Sequence, residues 1–162
     1  MEGKALRVGV VSDSHGDVAS LRQALRQMGA VDLLFHLGDH YRDGQRLAEQ
    51  MGVTVIGVAG NCDPRLGSSY ELIELAGVRF YVTHGHTLGV KISVAELVQS
   101  AARHRCDVVL FGHTHVPQIF SDRGILFVNP GSTAYPRHGT RAGYAVLTLM
   151  DGRVSAELGQ LN

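Results

Sequence analysis

Five apolar, strand-like runs in this chain each end in a short polar block, and this pattern constrains the fold more than any other feature. The blocks supply carboxylates, a carboxamide and five imidazoles, which a folding core does not need. Burying so many polar groups without partners would be costly, and clusters of this kind are paired or coordinate metals. The pattern therefore predicts a metal site at the strand ends. The blocks are Asp13-Ser14-His15, Gly38-Asp39, Gly60-Asn61-Cys62-Asp63, His84-Gly85-His86 and Gly112-His113-Thr114-His115.

The first half of the chain alternates predicted strands and helices. Strand–helix–strand units of this length pair their strands in parallel through right-handed crossovers. Asp17 is placed to cap the first helix, whose apolar residues recur at helical spacing. The predicted strands cover residues 6–12, 31–37 and 53–59, and the predicted helices cover residues 18–28 and 42–51.

The second half is typical of β-hairpins. Ser93 and Glu96 form a capping-box pattern for a further helix that ends near His104. Roughly ten strands are too many for one comfortable sheet, so the predicted fold class is α/β, with two packed mixed β-sheets flanked by helices. The predicted hairpins pair residues 70–75 with 79–83, 118–121 with 125–128, and 144–150 with 153–158, and a further strand covers residues 107–111.

Length and composition predict one cytoplasmic domain that spans residues 1–162. Lys and Arg total 15, as do Asp and Glu, and this zero net charge argues against a nucleic-acid partner. No apolar stretch is long enough to span a bilayer, and residues 1–5 carry no signal-peptide pattern, so we expect no membrane partner. Cys62 and Cys106 are too few for a disulfide framework and are expected to be free thiols.

The spacing within the blocks suits one or two metal ions. Asp13 and His15 are two residues apart, as are His113 and His115. Residues i and i+2 of an extended segment point to the same side, so each pair can bind one metal or two adjacent metals. Mixed nitrogen and oxygen donors suit manganese, iron, cobalt, nickel or zinc. Cys62 is a weaker candidate for a ligand, because a thiolate is a softer donor than the nitrogen and oxygen atoms of the other blocks.

In this order the blocks resemble the motifs of the calcineurin-like metallophosphoesterase superfamily. The resemblance runs over residues 8–132, which is most of the chain. The Gly60-Asn61-Cys62-Asp63 block, the short length and the Asn129-Pro130-Gly131-Ser132 turn are similar to its small YfcE-type phosphodiesterase branch. The resemblance implies a four-layer sandwich of two sheets flanked by helices, which agrees with the fold predicted above.

The resemblance also implies two divalent metal ions, with manganese favoured, and a complete ligand set. A hydroxide that bridges the two ions would attack phosphorus in line and expel an alkoxide or phenolate, without a phospho-enzyme. Asp13, His15 and His115 would hold the first metal together with Asp39, which would also bind the second metal with Asn61, His84 and His113.

One position departs from the family pattern, because many members carry Asn-His where this chain has Asn61-Cys62. In the family that His is thought to protonate the leaving group or to contact the phosphate, and a thiol is a poor substitute at neutral pH. Either another group protonates the leaving group, or the enzyme prefers esters whose leaving group departs without a proton donor. His86 is the nearest candidate for this proton donor or phosphate contact; the alternative is that His86 orients a metal ligand. His40 is a weaker candidate for the same role. Arg137 either contacts a phosphate or is simply solvated.

Three further polar features are expected to be structural. His36 lies within an apolar strand and is expected to be a hydrogen-bonded core residue. His104 is expected to end a helix, where positive charge is tolerated. The Asn129-Pro130-Gly131-Ser132 turn is expected to support the site, because Pro and Gly fix the local backbone.

These observations favour a phosphodiesterase that acts on a small-molecule phosphate ester. A phosphomonoesterase on the same site is the nearest alternative. A non-catalytic metal-binding scaffold for a protein partner, like the retromer subunit of this superfamily, would show eroded ligands or a large exposed apolar patch. A nuclease is disfavoured by the balanced charge. The sequence leaves open whether the chain forms a homo-oligomer.

Overall fold

Two five-stranded β-sheets form the centre of the molecule, and helices pack on their outer faces. The computed structural model describes residues 3–64 and 68–162. Within these residues there are ten strands, three α-helices and one short 3-10 helix, His86–Leu88. In chain order the others are β1 (Leu6–Val11), α1 (Val18–Met28), β2 (Leu33–His36), α2 (Tyr41–Met51), β3 (Val55–Gly57), β4 (Tyr70–Leu75), β5 (Val78–Thr83), α3 (Ala95–Arg103), β6 (Val108–Leu110), β7 (Pro117–Asp122), β8 (Ile125–Pro130), β9 (Gly143–Met150) and β10 (Arg153–Gln160).

Both sheets are mixed, as predicted. The first sheet has the strand order β10-β9-β1-β2-β3, and β1, β2 and β3 run parallel. The second sheet has the order β4-β5-β6-β8-β7, and β5, β6 and β8 run parallel. The three predicted hairpins form as β4–β5, β7–β8 and β9–β10. The parallel units of the first half and the hairpins of the second half are therefore confirmed.

The inner faces of the two sheets meet in an apolar core. Val8 and Phe35 of the first sheet, with Phe80 and Val108 of the second, are at most 1% exposed. The rings of Phe35 and Phe80 lie 5.9 Å apart across this interface. On the outer faces, α1 and α2 pack against the first sheet and α3 packs against the second. The predicted fold class, two packed mixed sheets flanked by helices in four layers, is confirmed.

The helix ends agree with the sequence pattern at α1 and differ from it at α3. The Asp17 side chain caps α1 by accepting a hydrogen bond from the Ser20 backbone N–H at 3.0 Å. The predicted Ser93–Glu96 capping box is wrong, because Val94 is the N-cap residue of α3. Ser93 belongs to the preceding turn, where its N–H donates to the Gly89 carbonyl at 3.1 Å. The helix ends at Arg103 with His104 as its C-cap, as predicted.

Several strands are shorter than the apolar runs that predicted them. The runs over residues 31–37, 53–59 and 107–111 correspond to the shorter strands β2, β3 and β6. Val58 and Ala59 lie beyond β3 and yet are at most 6% exposed. These residues are buried although the strand has ended, because the chain continues through the interior toward the next polar block. The length of the apolar run therefore overestimates the length of the strand.

Residues 3–5 lead into β1 without regular secondary structure. Met1 and Glu2, which begin the predicted N-terminal segment, lie outside the described residues. None of the helices in the described part of the chain is long and apolar enough to cross a membrane.

The contact between Phe35 and Phe80 predicts a large stability effect at the sheet interface. Phe80→Ala should lower the free energy of unfolding by about 3–5 kcal/mol, because it leaves a cavity between two close-packed sheets. Ile92→Ala is the control, since Ile92 is 94% exposed, and its effect should stay within about 0.5 kcal/mol. Urea denaturation of both variants checks the prediction, and equal losses would contradict this account of the core.

Candidate metal centre

The loops that follow β1, β2, β3, β5 and β6 converge at one edge of the two sheets. The carboxyl ends of parallel strands gather there, which is where α/β proteins place their ligand-binding loops. His115 Nε2 lies 3.2 Å from Asp13 Oδ1, so a residue of the second sheet meets one of the first. Asp39 Oδ2 lies 3.4 Å from His15 Nε2 and 3.5 Å from His84 Nε2. The structure thus brings together polar blocks that are far apart in the sequence.

The converging side chains form two groups that share Asp39. Within each group the donor atoms all lie within 4.8 Å of one another. Asn61 lies beside the second group, with its Oδ1 3.1 Å from His84 Nε2. All seven sequence-predicted ligand residues are therefore in one place. The first group is Asp13, His15, Asp39 and His115, and the second is Asp39, His84 and His113.

Hydrogen bonds at the far side of two imidazoles orient their free nitrogens toward the groups. His115 Nδ1 lies 2.6 Å from the Tyr135 carbonyl, and His84 Nδ1 lies 2.7 Å from the Leu37 carbonyl. A carbonyl only accepts, so each Nδ1 carries the proton and donates it. In both rings Nε2 faces the carboxylates, and in its unprotonated form this nitrogen is an electron-pair donor. This arrangement is typical of histidines that bind metals.

Asp13 provides the clearest sign that a cation fits here. Its Oδ2 accepts hydrogen bonds from the Ser12 hydroxyl and, at 3.1 Å, from the His113 backbone N–H. Its Oδ1 is buried and has no hydrogen-bond partner among the described residues. The nearest group is His115 Nε2, which is itself an acceptor in the neutral ring. At 3.2 Å this oxygen and this nitrogen are stable together only with a positive charge between them, which a metal ion or a proton on Nε2 supplies.

The charges in the cluster also favour a bound cation. Burial lowers the pKa of His113 to about 4, so this ring is neutral at pH 7. Burial acts in the same direction on His84, yet Asp39 and Asp13 hold the pKa of that ring above its ordinary value. Burial works to raise the pKa of the Asp13 carboxyl, but the neighbouring imidazoles keep it below its ordinary value. The two carboxylates thus remain ionised and attract positive charge.

The backbone at the site corrects one expectation from the sequence. Asp13, His15, His113 and His115 have φ values of 55°, 46°, 71° and 59°, so neither pair lies in an extended segment. The i, i+2 argument for side chains on the same side is therefore wrong in its geometry. The tight left-handed loops still place Asp13 and His15 in one group, but they divide His113 and His115 between the two groups.

Glycines allow two of these loops to pack backbone against backbone. A Cβ at Gly60 would lie 2.5 Å from the Asp39 backbone nitrogen, and a Cβ at Gly38 would lie 2.6 Å from the Gly60 nitrogen. Both distances are too short for a real side chain. In the Gly38-Asp39 and Gly60-Asn61 pairs, glycine is therefore required because a side chain would not fit, and the residue after it supplies the polar group.

A buried hydrogen-bond chain under the site was not anticipated from the sequence. The Ser14 hydroxyl lies 2.8 Å from both Asp43 Oδ2 and His36 Nε2, and Asp43 Oδ2 also accepts from the Gly16 N–H. His36 Nδ1 accepts from the Gly38 N–H, so Nε2 is the protonated nitrogen of the neutral ring. Burial lowers the pKa of His36 to about 4. His36 is a hydrogen-bonded core residue, as predicted. No motif in the sequence indicated that Asp43 would be part of the site.

The Asn129-Pro130-Gly131-Ser132 turn supports the site, as predicted. Asn129 Nδ2 donates to the Gly112 carbonyl at 3.2 Å and to Thr114 Oγ1 at 3.0 Å. The Ser132 hydroxyl donates to the Asp13 carbonyl at 2.8 Å. One turn therefore fixes the backbones of two ligand-bearing loops from the two sheets.

The remaining candidate residues lie around the two groups. The His86 ring centre is 5.3 Å from that of His84, and His86 Nδ1 is buried without a partner among the described residues. The His40 ring centre is 5.6 Å from that of His15. Cys62 is exposed, and both it and Cys106 are free thiols, as predicted. Partial desolvation, and then the charge of Asp39, raise the pKa of the Cys62 thiol.

A cleft adjoins each group. The first, of about 580 Å³, is lined by two residues of the first group and by the segment from Ala134 to Arg137. The second, of about 310 Å³, is lined by Asn61, Asp63, His86 and neighbouring residues. Arg137 is exposed and lies at the first cleft, so it adjoins the site from that side only.

Several known proteins similar to this chain are named phosphoesterases. Residues 6–152 match the calcineurin-like phosphoesterase superfamily domain. "Probable metallophosphoesterase YsnB" of Bacillus subtilis (strain 168) is 37% identical over 146 residues, which are 89% of this chain and 85% of that protein. "Phosphodiesterase YfcE" of Escherichia coli (strain K12) is 30% identical over 169 residues, covering 88% of this chain and 87% of that protein. The crystal structure of a predicted phosphoesterase from Streptococcus pneumoniae TIGR4 has a TM-score of 0.82 at 30% identity, over 98% of this chain and 91% of that one.

The facing acceptors at Asp13 and His115 predict an unusual stability effect. In chelator-treated protein, Asp13→Asn should raise the free energy of unfolding by about 1 kcal/mol, because an amide N–H can donate to His115 Nε2 where Oδ1 cannot. Urea denaturation at neutral pH measures the effect. Asp122→Asn at an exposed turn is the matched control, with an expected change within about 0.5 kcal/mol. A loss of stability in Asp13→Asn would contradict the proposed orientation of the His115 ring.

Proposed function

Because the chain belongs to the calcineurin-like phosphoesterase superfamily, we propose that it is a metal-dependent phosphodiesterase that hydrolyses small-molecule phosphate esters. The observation that carries this proposal is the pair of side-chain groups that share Asp39. The buried Asp13 oxygen without a hydrogen-bond partner adds to it, because a bound cation would satisfy that oxygen.

We propose two divalent ions at these groups, with manganese as the preferred metal. The donors are nitrogen and oxygen atoms, which also suit iron, zinc, cobalt and nickel. Asp39 would be shared between the ions, since it belongs to both groups. The first ion would be held by Asp13, His15, Asp39 and His115, and the second by Asp39, Asn61, His84 and His113.

When bound, the two ions would supply a bridging hydroxide as the nucleophile and neutralise charge on the phosphoryl oxygens. The protein residues have two tasks in this proposal. The carbonyls of Tyr135 and Leu37 hold His115 and His84 with Nε2 toward the centre. The Asn129 and Ser132 side chains fix the loops that carry the ligands, which keeps the donor atoms in place during turnover.

Two observations support a phosphodiester over a phosphomonoester as substrate. A diester has two organic arms, and a separate cleft adjoins each of the two groups. In addition, a relative at 30% identity is named a phosphodiesterase. A monoester would use one cleft and leave the other without a role. The ligand residues are all present, which counts against a non-catalytic scaffold.

The single domain over residues 1–162, the cytoplasmic location and the open question of self-association stay predictions from the sequence. None of them enters the argument for the activity, which rests on the residues of the metal centre and on the family.

The proposed activity predicts metal-dependent hydrolysis of bis-p-nitrophenyl phosphate in preference to p-nitrophenyl phosphate. Chelator should abolish turnover and manganese should restore it. Asp39→Asn should lower kcat/KM by about 100-fold or more, because it changes the donor that both groups share. Asp122→Asn, a carboxylate-to-amide change at an exposed turn, should match the wild type. Preference for the monoester would favour a phosphomonoesterase, and metal binding without turnover of either ester would favour the scaffold.

The Cys62 position predicts how the rate depends on the leaving group. Cys62 lies next to Asn61 at the second group, and its backbone N–H donates to Asp39 Oδ1 at 2.9 Å. The wild-type rate should fall steeply as the leaving group becomes more basic, since a thiol with a raised pKa gives little help. Cys62→His should increase turnover of the poorest leaving group by about tenfold or more, and so flatten the dependence.

A series of aryl methyl phosphates measures this dependence. Cys62→Ala is the control, and it should keep the steep wild-type slope. An unchanged slope in Cys62→His would show that this position does not reach the leaving group.

A further inference from the structure

The rim of the larger cleft is fixed to the metal centre by hydrogen bonds. The Ser132 hydroxyl accepts from the backbone N–H groups of Ala134 and Tyr135, at 3.1 and 2.8 Å, while donating to the Asp13 carbonyl. The Tyr135 carbonyl accepts from His115 Nδ1, and the Arg137 N–H donates back to the His115 carbonyl at 3.2 Å. The segment is therefore a rigid wall beside the site.

This wall presents an aromatic ring that the metal centre does not use. Tyr135 is 58% exposed although it lies beside a buried polar cluster. Its ring centre lies 5.7 Å from that of His15, with the ring planes at 72°, so the Tyr135 ring lies next to the first group. Pro136 and Ala134 add apolar surface, and Arg137 adds a positive charge. At about 580 Å³ the cleft has the size of a small-molecule site.

We propose that this cleft binds a nucleobase, so that the substrates are phosphodiesters with a nucleoside as one arm. The inference rests on the proposed function and specifies its substrate class. An aromatic side chain whose backbone is held at the edge of a cleft offers a stacking surface to any base, because every base has a π-face. A rigid wall adds to the affinity, since little conformational entropy is lost when the base binds.

The chemistry of the cleft assigns it to the arm that stays bonded to phosphorus. A departing alkoxide needs a proton, and the lining of this cleft is a poor source of one. The imidazoles of His15 and His115 are assigned to the first ion, a guanidinium does not release its proton in a protein, and a phenol is only a weak acid. Arg137 is instead available to contact the phosphate that both arms share. The cleft thus holds the retained nucleoside, and the leaving group departs elsewhere.

Two esters with the same leaving group test this assignment. The p-nitrophenyl ester of thymidine 5′-monophosphate and methyl p-nitrophenyl phosphate differ only in the retained arm. With manganese, the wild type should hydrolyse the thymidine ester with a kcat/KM roughly 5- to 150-fold higher, the range that one base–aromatic stack provides. Tyr135→Ala should reduce this ratio to near one, and Tyr135→Phe should keep it.

Two further variants separate stacking from other effects. Arg137→Ala should lower kcat/KM for both esters by a similar factor and leave the ratio unchanged. Tyr70→Ala removes an exposed aromatic ring on β4, an edge strand of the second sheet. The ratio of kcat/KM values for the two esters in this variant should equal that of the wild type. A wild-type ratio near one, or a ratio that survives Tyr135→Ala, would overturn the nucleobase site. Faster hydrolysis of phenyl p-nitrophenyl phosphate than of the thymidine ester would replace the nucleoside with a simple aryl arm.

A binding measurement decides the base site independently of turnover. By calorimetry on the manganese-loaded protein, thymidine 5′-monophosphate should bind at least about fivefold more tightly than deoxyribose 5-phosphate. The difference should disappear in Tyr135→Ala, and equal wild-type affinities would overturn the proposal. If neither ester is hydrolysed but the difference in affinity is present, the phosphodiesterase function fails and the base site stands.

Discussion

The rest of this structure depends on the burial of two carboxylates among imidazoles at one edge of two sheets. Such groups are stable away from water only when they find donors, so the surrounding backbone supplies them. The Cys62 N–H donates to Asp39, and the His113 N–H donates to Asp13. One buried oxygen of Asp13 finds no donor among the described residues and faces His115 Nε2 instead. The cluster is therefore arranged to attract positive charge.

The loops that hold this cluster adopt backbone conformations that few residues accept. Five of the seven proposed ligands have positive φ, namely Asp13, His15, Asp39, His113 and His115. Non-glycine residues adopt this region at a cost and persist in it only where the surroundings hold them there. The close approach of Gly38 to Gly60 and the hydrogen bonds of Asn129 and Ser132 provide that support. Strain at the site is thus offset by packing next to it.

The segment from Ser132 to Arg137 connects the metal centre to the proposed substrate cleft. It holds the Asp13 backbone and the His115 ring on one side, and on the other side it exposes the Tyr135 ring. Because both sides belong to one segment, the distance between the bound arm of an ester and the metal-binding side chains around its phosphorus would stay constant. Positioning of this kind accounts for a large part of the rate in enzymes that act on bound esters.

Local patterns in the sequence were sufficient for the fold class and for the Asp17 cap, because each depends on residues close together in the chain. The seven polar residues that meet at the site were identified by the order of the polar blocks and by their resemblance to a known family. The Ser93–Glu96 capping box failed because the Ser93 N–H donates to the Gly89 carbonyl of the preceding turn, although the Ser93 hydroxyl accepts from the Ala95 N–H. Only the tertiary structure showed the left-handed loops that divide His113 and His115 between the two groups, and the Tyr135 carbonyl that orients His115. These arrangements depend on contacts between distant segments, such as the bond from Ser132 to Asp13 across 119 positions, and on left-handed backbone geometry that packing imposes and local preference does not favour.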